Sequence, residues 1–410
     1  MPMDRLTDVV NRLVAGMEEA GTAKGAEVVV REVIPPRDGH GPRFLLEGQG
    51  DKPFIRMNAN SYLGLSLHPE VIEAEEVTAR AMGAGPGAVR FIAGTHTPHI
   101  ELERGLAAFH GREEGMIFSS AYAAVVSALV SLTDKTTFLL SDELNHNCII
   151  NAIRMSRPAG KAIYPHLDLA TLDRQLDEAK GVARRAIVVT DGIFSMRGDH
   201  APVDEIMEIA RKHDPDYPEN VVVLVDDSHG VGSFGATGRG TEEYTGSPPC
   251  DLLVGTLGKA FGVNGGYVVS SAPVIRFLRE ASPLYIYSNP ITAGEAAAAR
   301  KSLEILQGPE GATRLRHLRN LTERFESGLV SRGFEIIPGD HPIVPIMVRD
   351  TTETRRLVAA LFDAGVLATG LAFPVVPRGD ESIRFQINAD HTEAGIDYVL
   401  AALEGARQAP

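Results

Sequence analysis

The chain has 410 residues, 44% of them hydrophobic, enough to bury a large core and to form two domains or one large domain with an appendage. A net charge of −14 and a pI near 5.4 argue against a general nucleic-acid or anionic-membrane surface, because either would repel an acidic protein. The two cysteines, Cys148 and Cys250, lack CxxC or metal-ligand spacing, so neither a disulfide framework nor a zinc site is expected, and a reducing cytoplasm fits.

In chain order, Asp4 to Ala20 has the period of an amphipathic helix. It lacks the uninterrupted apolar core of a signal peptide, and no apolar run in the chain is long enough to span a bilayer. Pro35, Pro36, Gly39, Gly41 and Pro42 then mark a turn-rich link, so residues 1–58 read as an N-terminal helix and arm. From 59 to 290 short β-type runs alternate with helical ones: GMIFSS, TTFLLSD, AIVVTDG, VVVLVDD, DLLVGTL and GGYVVSS. Several are apolar throughout, as strands covered on both faces of a mainly parallel sheet should be, and runs such as Val203 to His213 supply the crossovers. This predicts a large α/β domain. Residues 291–410 carry a long helical stretch interrupted near Gly308 to Gly311, then FEIIPG, IVPIMV, a helix near Thr352 to Ala364, SIRFQIN and a closing helix, which predicts a smaller α+β domain.

Ligands of open α/β sheets collect beyond the carboxyl ends of the strands. At those ends stand Asp226 and His229 in DDSHGVG, His146 in ELNHN, Ser195 in IFSM and Lys259 in GKAFG. The lysine is not part of a P-loop, because Ala260 follows it where Ser or Thr is required. An amine in an apolar pocket can attack a carbonyl, and Gly255, Gly258 and Gly262 would let a flat ligand approach the backbone. A lone glycine–lysine turn is more often an ordinary surface loop; here it has company. Asp226 ends a strongly apolar strand, where a charge needs a partner. The protonated ring nitrogen of pyridoxal phosphate (PLP) is such a partner, and Asp227 points to the other side of the strand. His229 could bond the ring hydroxyl oxygen and His146 could lie on the ring face, although single histidines are more often structural. Ser119 and Ser120 lead into AYAAVVSALVSL, so the amides near Ala121 and Tyr122 would begin a helix suited to a phosphate, unless the serine is a plain N-cap. Thr256 could add a hydroxyl.

The motifs NANSYLGL, GAVRFIAGTHTPHIELE, SDELNHNCII, TDGIFSMRGD, LVDDSHGVG, GTLGKAFG, DHPIVPIMV and FPVVPRGDESIRFQINADHT together resemble the α-oxoamine synthase family of fold-type I PLP enzymes. Within that family the chain is most similar to the glycine C-acetyltransferase branch. The resemblance implies an aspartate aminotransferase-like α/β fold and a homodimer with a shared site. It implies that Lys259 forms a Schiff base with PLP and later removes the α-proton, that Asp226 partners the ring nitrogen, and that His229 meets the ring hydroxyl while His146 stacks. It further implies cofactor contacts from Ser120, Ala121, Tyr122, Ser195 and Thr256, and a phosphate contact from Ser288 of the neighbouring subunit. Arg384 would hold the amino-acid carboxylate with its planar fork, and Asn60 would lie near the substrate.

Two positions depart from the family pattern: Ala121 stands where glycine or cysteine is usual, and Val125 where asparagine is usual. The loop GKAFGVNGGY has the length of 5-aminolevulinate or 8-amino-7-oxononanoate synthases, whereas DDSH and YSNP favour the acetyltransferase branch. The expected reaction is condensation of an amino acid, glycine first, with a short acyl-CoA, acetyl-CoA first. The alternatives are L-alanine or L-serine with a longer acyl thioester, a 5-aminolevulinate synthase-like reaction, and a cofactor-binding protein without turnover.

Overall fold

A computed structural model describes residues 3–37, 39–373 and 375–408. The chain packs into two compact units: residues 60–319 with 340–342 form the larger, and the segment up to Ala59 with 320–339 and 343 onward forms the smaller.

Among the described residues, the larger unit holds a seven-stranded sheet in the order Glu114–Phe118, Gly266–Ser270, Leu252–Thr256, Val221–Asp226, Arg185–Asp191, Thr137–Asp142, Gly160–Tyr164. The last five run parallel, while Gly266–Ser270 runs antiparallel to both its neighbours. The reason is local: residues 257–265 are too few for a parallel crossover, so the chain turns straight back. Val223, Leu224 and Val225 are fully buried, as both-face coverage of a parallel strand requires. Six of the seven strands coincide with the apolar runs of the sequence. The seventh, Gly160–Tyr164, is an edge strand with alternating exposure, and its Gly160 and Lys161 mask the apolar signal.

Helix Ala121–Leu132 follows the first strand directly, and its buried residues Ala123 to Leu129 pack in one cluster with Met116, Phe118, Val254 and Val268. Val125, one of the departures from the family pattern, is fully buried in that cluster, so its side chain faces the core. The packing boundary also differs from the division at residue 290. Helix Ala293–Gln307 packs against Pro69–Met82 and Thr97–Phe109 and belongs to the larger unit. Its buried Ala293, Ala296, Ala298 and Ala299 allow this close approach.

In the smaller unit, helix Asp4–Glu19 has no buried residue. Residues 30–56 are more than the expected link: Val30–Ile34, Arg43–Leu46 and Pro53–Arg56 pair antiparallel, and Val366–Leu367 adds a fourth strand parallel to the third. Phe44, Leu46, Phe54 and Leu367 bury themselves together on this sheet. The turn residues of 35–42 connect strands. A second sheet orders Ile343–Met347, Ser382–Gln386 and Thr369–Leu371, and FEIIPG contributes a single bridge, Ile336 to Ile346. Among the described residues no helix is long and apolar enough to cross a membrane.

Candidate active site

The carboxyl ends of three neighbouring parallel strands each finish on an acid: Asp142, Asp191 and Asp226. Asp226 is 5% exposed, and a carboxylate so placed is costly unless it is hydrogen-bonded. Its Oδ1 accepts from the Ser228 hydroxyl at 2.6 Å and amide at 3.2 Å, and its Oδ2 accepts from the Cys148 thiol at 3.4 Å. Asp227 turns to the other side of the strand, where it accepts from the Thr241 amide at 2.7 Å and hydroxyl at 2.6 Å. Burial pushes the Asp227 carboxyl up to about 7, against the pull of those two bonds.

Asp191 stands directly beside Asp226 in the sheet register. Burial, with the Asp226 charge next, holds the Asp191 carboxyl well above the usual range, while the His146 amide and the Lys259 charge act the other way. The His146 N–H donates to Asp191 Oδ2 at 2.9 Å, fixing the start of helix Asn147–Met155. The His146 Nδ1 lies 3.0 Å from the Cys148 sulfur. Solvent reaches this ring, yet desolvation by the strand ends lowers its pKa, opposed by Asp226 and aided by Lys259. Cys148 is buried, and burial beside Asp226 and Asp191 raises its pKa, keeping it a thiol that can donate. Asp191 and Cys148 are absent from the sequence-based site. Asp191 had a readable signal, an acid ending an apolar strand like Asp226; Cys148 had none.

His229 is 8% exposed in the turn after Asp226. Its Nδ1 lies 2.7 Å from the Tyr62 hydroxyl, which donates to Asn60 Oδ1 at 3.3 Å, and the His229 carbonyl accepts from Ser233 at 2.6 Å and His341 at 2.9 Å. Sequence reasoning also missed Tyr62. Asn60, half-buried, thus joins the His229 network.

Lys259 is half-buried in the turn after Leu252–Thr256, and its charge acts on both His146 and Asp191. The Gly262 amide donates to its carbonyl at 2.9 Å, with Gly262 at φ 71°. The glycines here do different work from that expected. A Cβ on Gly255 would stand 2.3 Å from the Tyr267 hydroxyl, and one on Gly262 would stand 2.3 Å from the Ser66 amide, so both make room for protein. A Cβ on Gly258 would meet nothing nearer than 3.5 Å.

Ser120 caps helix Ala121–Leu132, its hydroxyl accepting from the Ala123 amide at 3.1 Å, and no acid lies in the first turn. The capping reading holds, since the serine is bonded, and the positive end of a twelve-residue helix begins at Ala121 and Tyr122, where the anion reading needs it. The Tyr122 hydroxyl bonds Asn147 and Asn151. Thr256 accepts from the Gly258 amide at 3.1 Å and donates to the Gly265 carbonyl at 3.3 Å. Gly266 lets strand and helix start approach, since a Cβ there would stand 2.2 Å from the Ala121 nitrogen. Gly266→Ala is expected to displace the helix start at a cost of about 1–3 kcal/mol and to weaken PLP uptake. Urea unfolding and PLP titration check this; an unchanged midpoint and affinity would contradict it.

Ser195 is half-buried in the turn after Arg185–Asp191, and Ser288 is half-buried after helix Pro283–Ile286. Arg384 belongs to the smaller unit, half-buried in strand Ser382–Gln386. With the Gln386 amide oriented to satisfy both neighbours, its oxygen accepts from Arg384 and its nitrogen donates to the Met57 carbonyl at 3.0 Å.

The donor set of the larger unit fits PLP: a buried carboxylate, an amine within electrostatic reach of the strand-end cluster, and a helix start set close against the sheet by Gly266. With the seven-stranded sheet, this defines the class of fold-type I PLP enzymes. The aminotransferase class I and II family model matches residues 52–403. The mitochondrial 2-amino-3-ketobutyrate coenzyme A ligase of Homo sapiens is 36% identical over 400 residues, 97% of this chain and 91% of that protein. The 8-amino-7-oxononanoate synthase of Thermosipho melanesiensis is 36% identical over 382 residues, 93% of this chain and 94% of that protein. A serine palmitoyltransferase structure from Sphingomonas wittichii matches with a TM-score of 0.86 at 26% identity, covering 99% of this chain and 97% of that chain. The chain belongs to the aminotransferase class I and II family and, within it, to the α-oxoamine synthases, PLP-dependent acyltransferases.

Proposed function

We propose that the enzyme condenses glycine with a short acyl-CoA, acetyl-CoA first among them, releasing CoA and a 2-amino-3-keto acid or the amino ketone left after decarboxylation. The observation that carries this reading is the extent of the likeness to 2-amino-3-ketobutyrate coenzyme A ligase, which runs over 97% of the chain, together with DDSH and YSNP. The 8-amino-7-oxononanoate synthases, equally identical at 36%, and the length of GKAFGVNGGY favour the second reading, an L-alanine or longer-acyl reaction.

PLP, when bound, supplies an electron-accepting ring that makes the α-proton of an amino acid acidic. In this reading Lys259 would hold the cofactor, and once the amino group of the substrate has displaced it, its freed Nζ would take the α-proton. Asp226 holds a proton on the ring nitrogen, because a buried carboxylate favours a cationic partner. His229, backed by Tyr62, would bond the ring hydroxyl oxygen, Ser195 would make a further cofactor contact, and His146 would cover the ring face. The Ala121 and Tyr122 amides, Ser120 and Thr256 hold the phosphate, joined by Ser288 from a second copy of the chain in a homodimer. Arg384 takes the substrate carboxylate through two parallel hydrogen bonds, which orients the bond to be broken, and Asn60 lines the substrate. With that proton held by Lys259, the α-carbon would attack the thioester carbonyl and CoA would leave as the thiolate. Two buried free thiols support a reducing compartment, the cytoplasm.

Thiol release from acetyl-, succinyl- and long-chain CoA, each with glycine, alanine and serine, tests the assignment. Glycine with acetyl-CoA is expected to give a kcat/KM at least about tenfold above any other pair, about 1.4 kcal/mol of transition-state preference. A preference for alanine or for a long acyl chain would overturn it in favour of the second reading.

A further inference from the structure

We infer that His166 is a positioning residue: by bridging Asp142 and Asp199 it fixes the turn that carries Ser195. The inference rests on the reading of Ser195 as a cofactor contact.

His166 follows the edge strand Gly160–Tyr164 and reaches both the end of strand Thr137–Asp142 and the turn after strand Arg185–Asp191. Its Nδ1 lies 3.1 and 3.2 Å from the two oxygens of Asp142, and its Nε2 lies 3.2 Å from Asp199 Oδ2. An imidazole donates from both nitrogens only as the cation, so two carboxylates on opposite edges call for imidazolium. Burial opposes that charge, but the bonds and charges of Asp142 and Asp199 outweigh it and raise the pKa to about 9. The groups facing the ring are Asp142 at its strand end, the Phe194 ring packed nearly perpendicular with centroids 4.4 Å apart, and Asp199, which also accepts from Arg197 at 2.7 Å; Glu143 accepts from the His166 backbone amide at 2.9 Å.

Asp199 closes the turn. Its carbonyl accepts from the Phe194 amide at 2.9 Å, Gly198, at φ 78°, donates to the Phe194 carbonyl at 2.8 Å, and Ile193 bridges His200. Ser195 sits inside this small loop, whose start is held by the bond of the Gly192 amide to the Asp226 carbonyl at 2.8 Å and whose far side is held through Asp199. Asp142 is itself fixed, accepting from the Leu144 amide at 2.8 Å and the Leu167 amide at 2.9 Å. His166 therefore ties the loop to a rigid strand end. Because its folded pKa is raised, its contribution to stability is fully present below the ordinary histidine value of about 6.5 and is lost as pH rises through about 9.

The test combines His166→Asn with Ser195→Ala in a double-mutant cycle, read by PLP titration of the cofactor-free protein at pH 7 and by urea unfolding from pH 7 to 10. His166→Asn should weaken PLP binding about 10- to 100-fold in the wild-type background and no more than about twofold in the Ser195→Ala background. In the cofactor-free protein, the progressive loss of stability between about pH 6.5 and about pH 9 should be absent from His166→Asn. Should His166→Asn fail to fold, Asp199→Asn cuts the same bridge and should show the same non-additivity. Equal PLP affinity of wild type and His166→Asn, or the same loss in both backgrounds, overturns the inference. A wild type that takes up no PLP overturns the reading of the site instead, and the pH step still tests the bridge.

Discussion

Lys259→Ala is expected to fold as the wild type does, to bind PLP without a covalent link, and to lose turnover by at least about 10³-fold. Folding should survive because the turn is held by the backbone: the Gly262 amide meets the residue 259 carbonyl, and Val263 meets Leu257, whatever side chain stands at 259. The loss should be large because no other amine among the residues gathered at these strand ends can both tether an aldehyde and take a proton from the adjacent carbon. Circular dichroism, the visible absorption of lysine-linked cofactor, and thiol release check the three parts. Retained turnover would remove the lysine from the chemistry.

Asp226→Asn is expected to keep the fold and the lysine-linked cofactor band but to lower turnover about 10²- to 10³-fold, the usual effect of deleting one fixed electrostatic partner of the reacting group. Asparagine preserves the shape and an oxygen for Ser228, so packing changes little. What disappears is the negative charge in a buried site, and with it the preference for a protonated ring nitrogen. Asp191 should respond in the opposite sense. Its carboxyl is held high by burial and then by the Asp226 charge, so removing that charge should lower its pKa, and it ionises more readily in the variant. A carboxylate-specific infrared titration of both proteins reads this shift; turnover within about threefold of wild type would contradict the role given to Asp226.

The parts of the molecule legible in the sequence are those set by short-range pattern. Val221–Asp226 reads as a buried strand because five apolar residues precede an acid, and the acid is informative because that strand has no polar face to put it on. Lys259 reads as special because the strand before it is apolar and a tight turn follows. The edge strand Gly160–Tyr164 was hidden by its half-exposed pattern, and strands Val30–Ile34, Arg43–Leu46 and Pro53–Arg56 by the prolines and glycines of their turns. Helix Ala293–Gln307 follows a proline that looks like a domain border, but its alanine face decides where it packs. The supporting residues of the site were illegible for another reason: Cys148 reaches Asp226, and Tyr62 reaches His229, across long stretches of chain, and only the tertiary packing of a helix and a loop against the strand end brings them together. Glycine was misleading in its own way, since Gly255 and Gly262 accommodate Tyr267 and Ser66 where room for a ligand was expected.

Borohydride reduction of PLP-loaded protein, followed by peptide mass spectrometry, locates the residue that carries the cofactor. A pyridoxyl mass on Lys259, absent when the protein is reduced without PLP, is the expected result. A pyridoxyl mass on any other lysine, or on none, would contradict it.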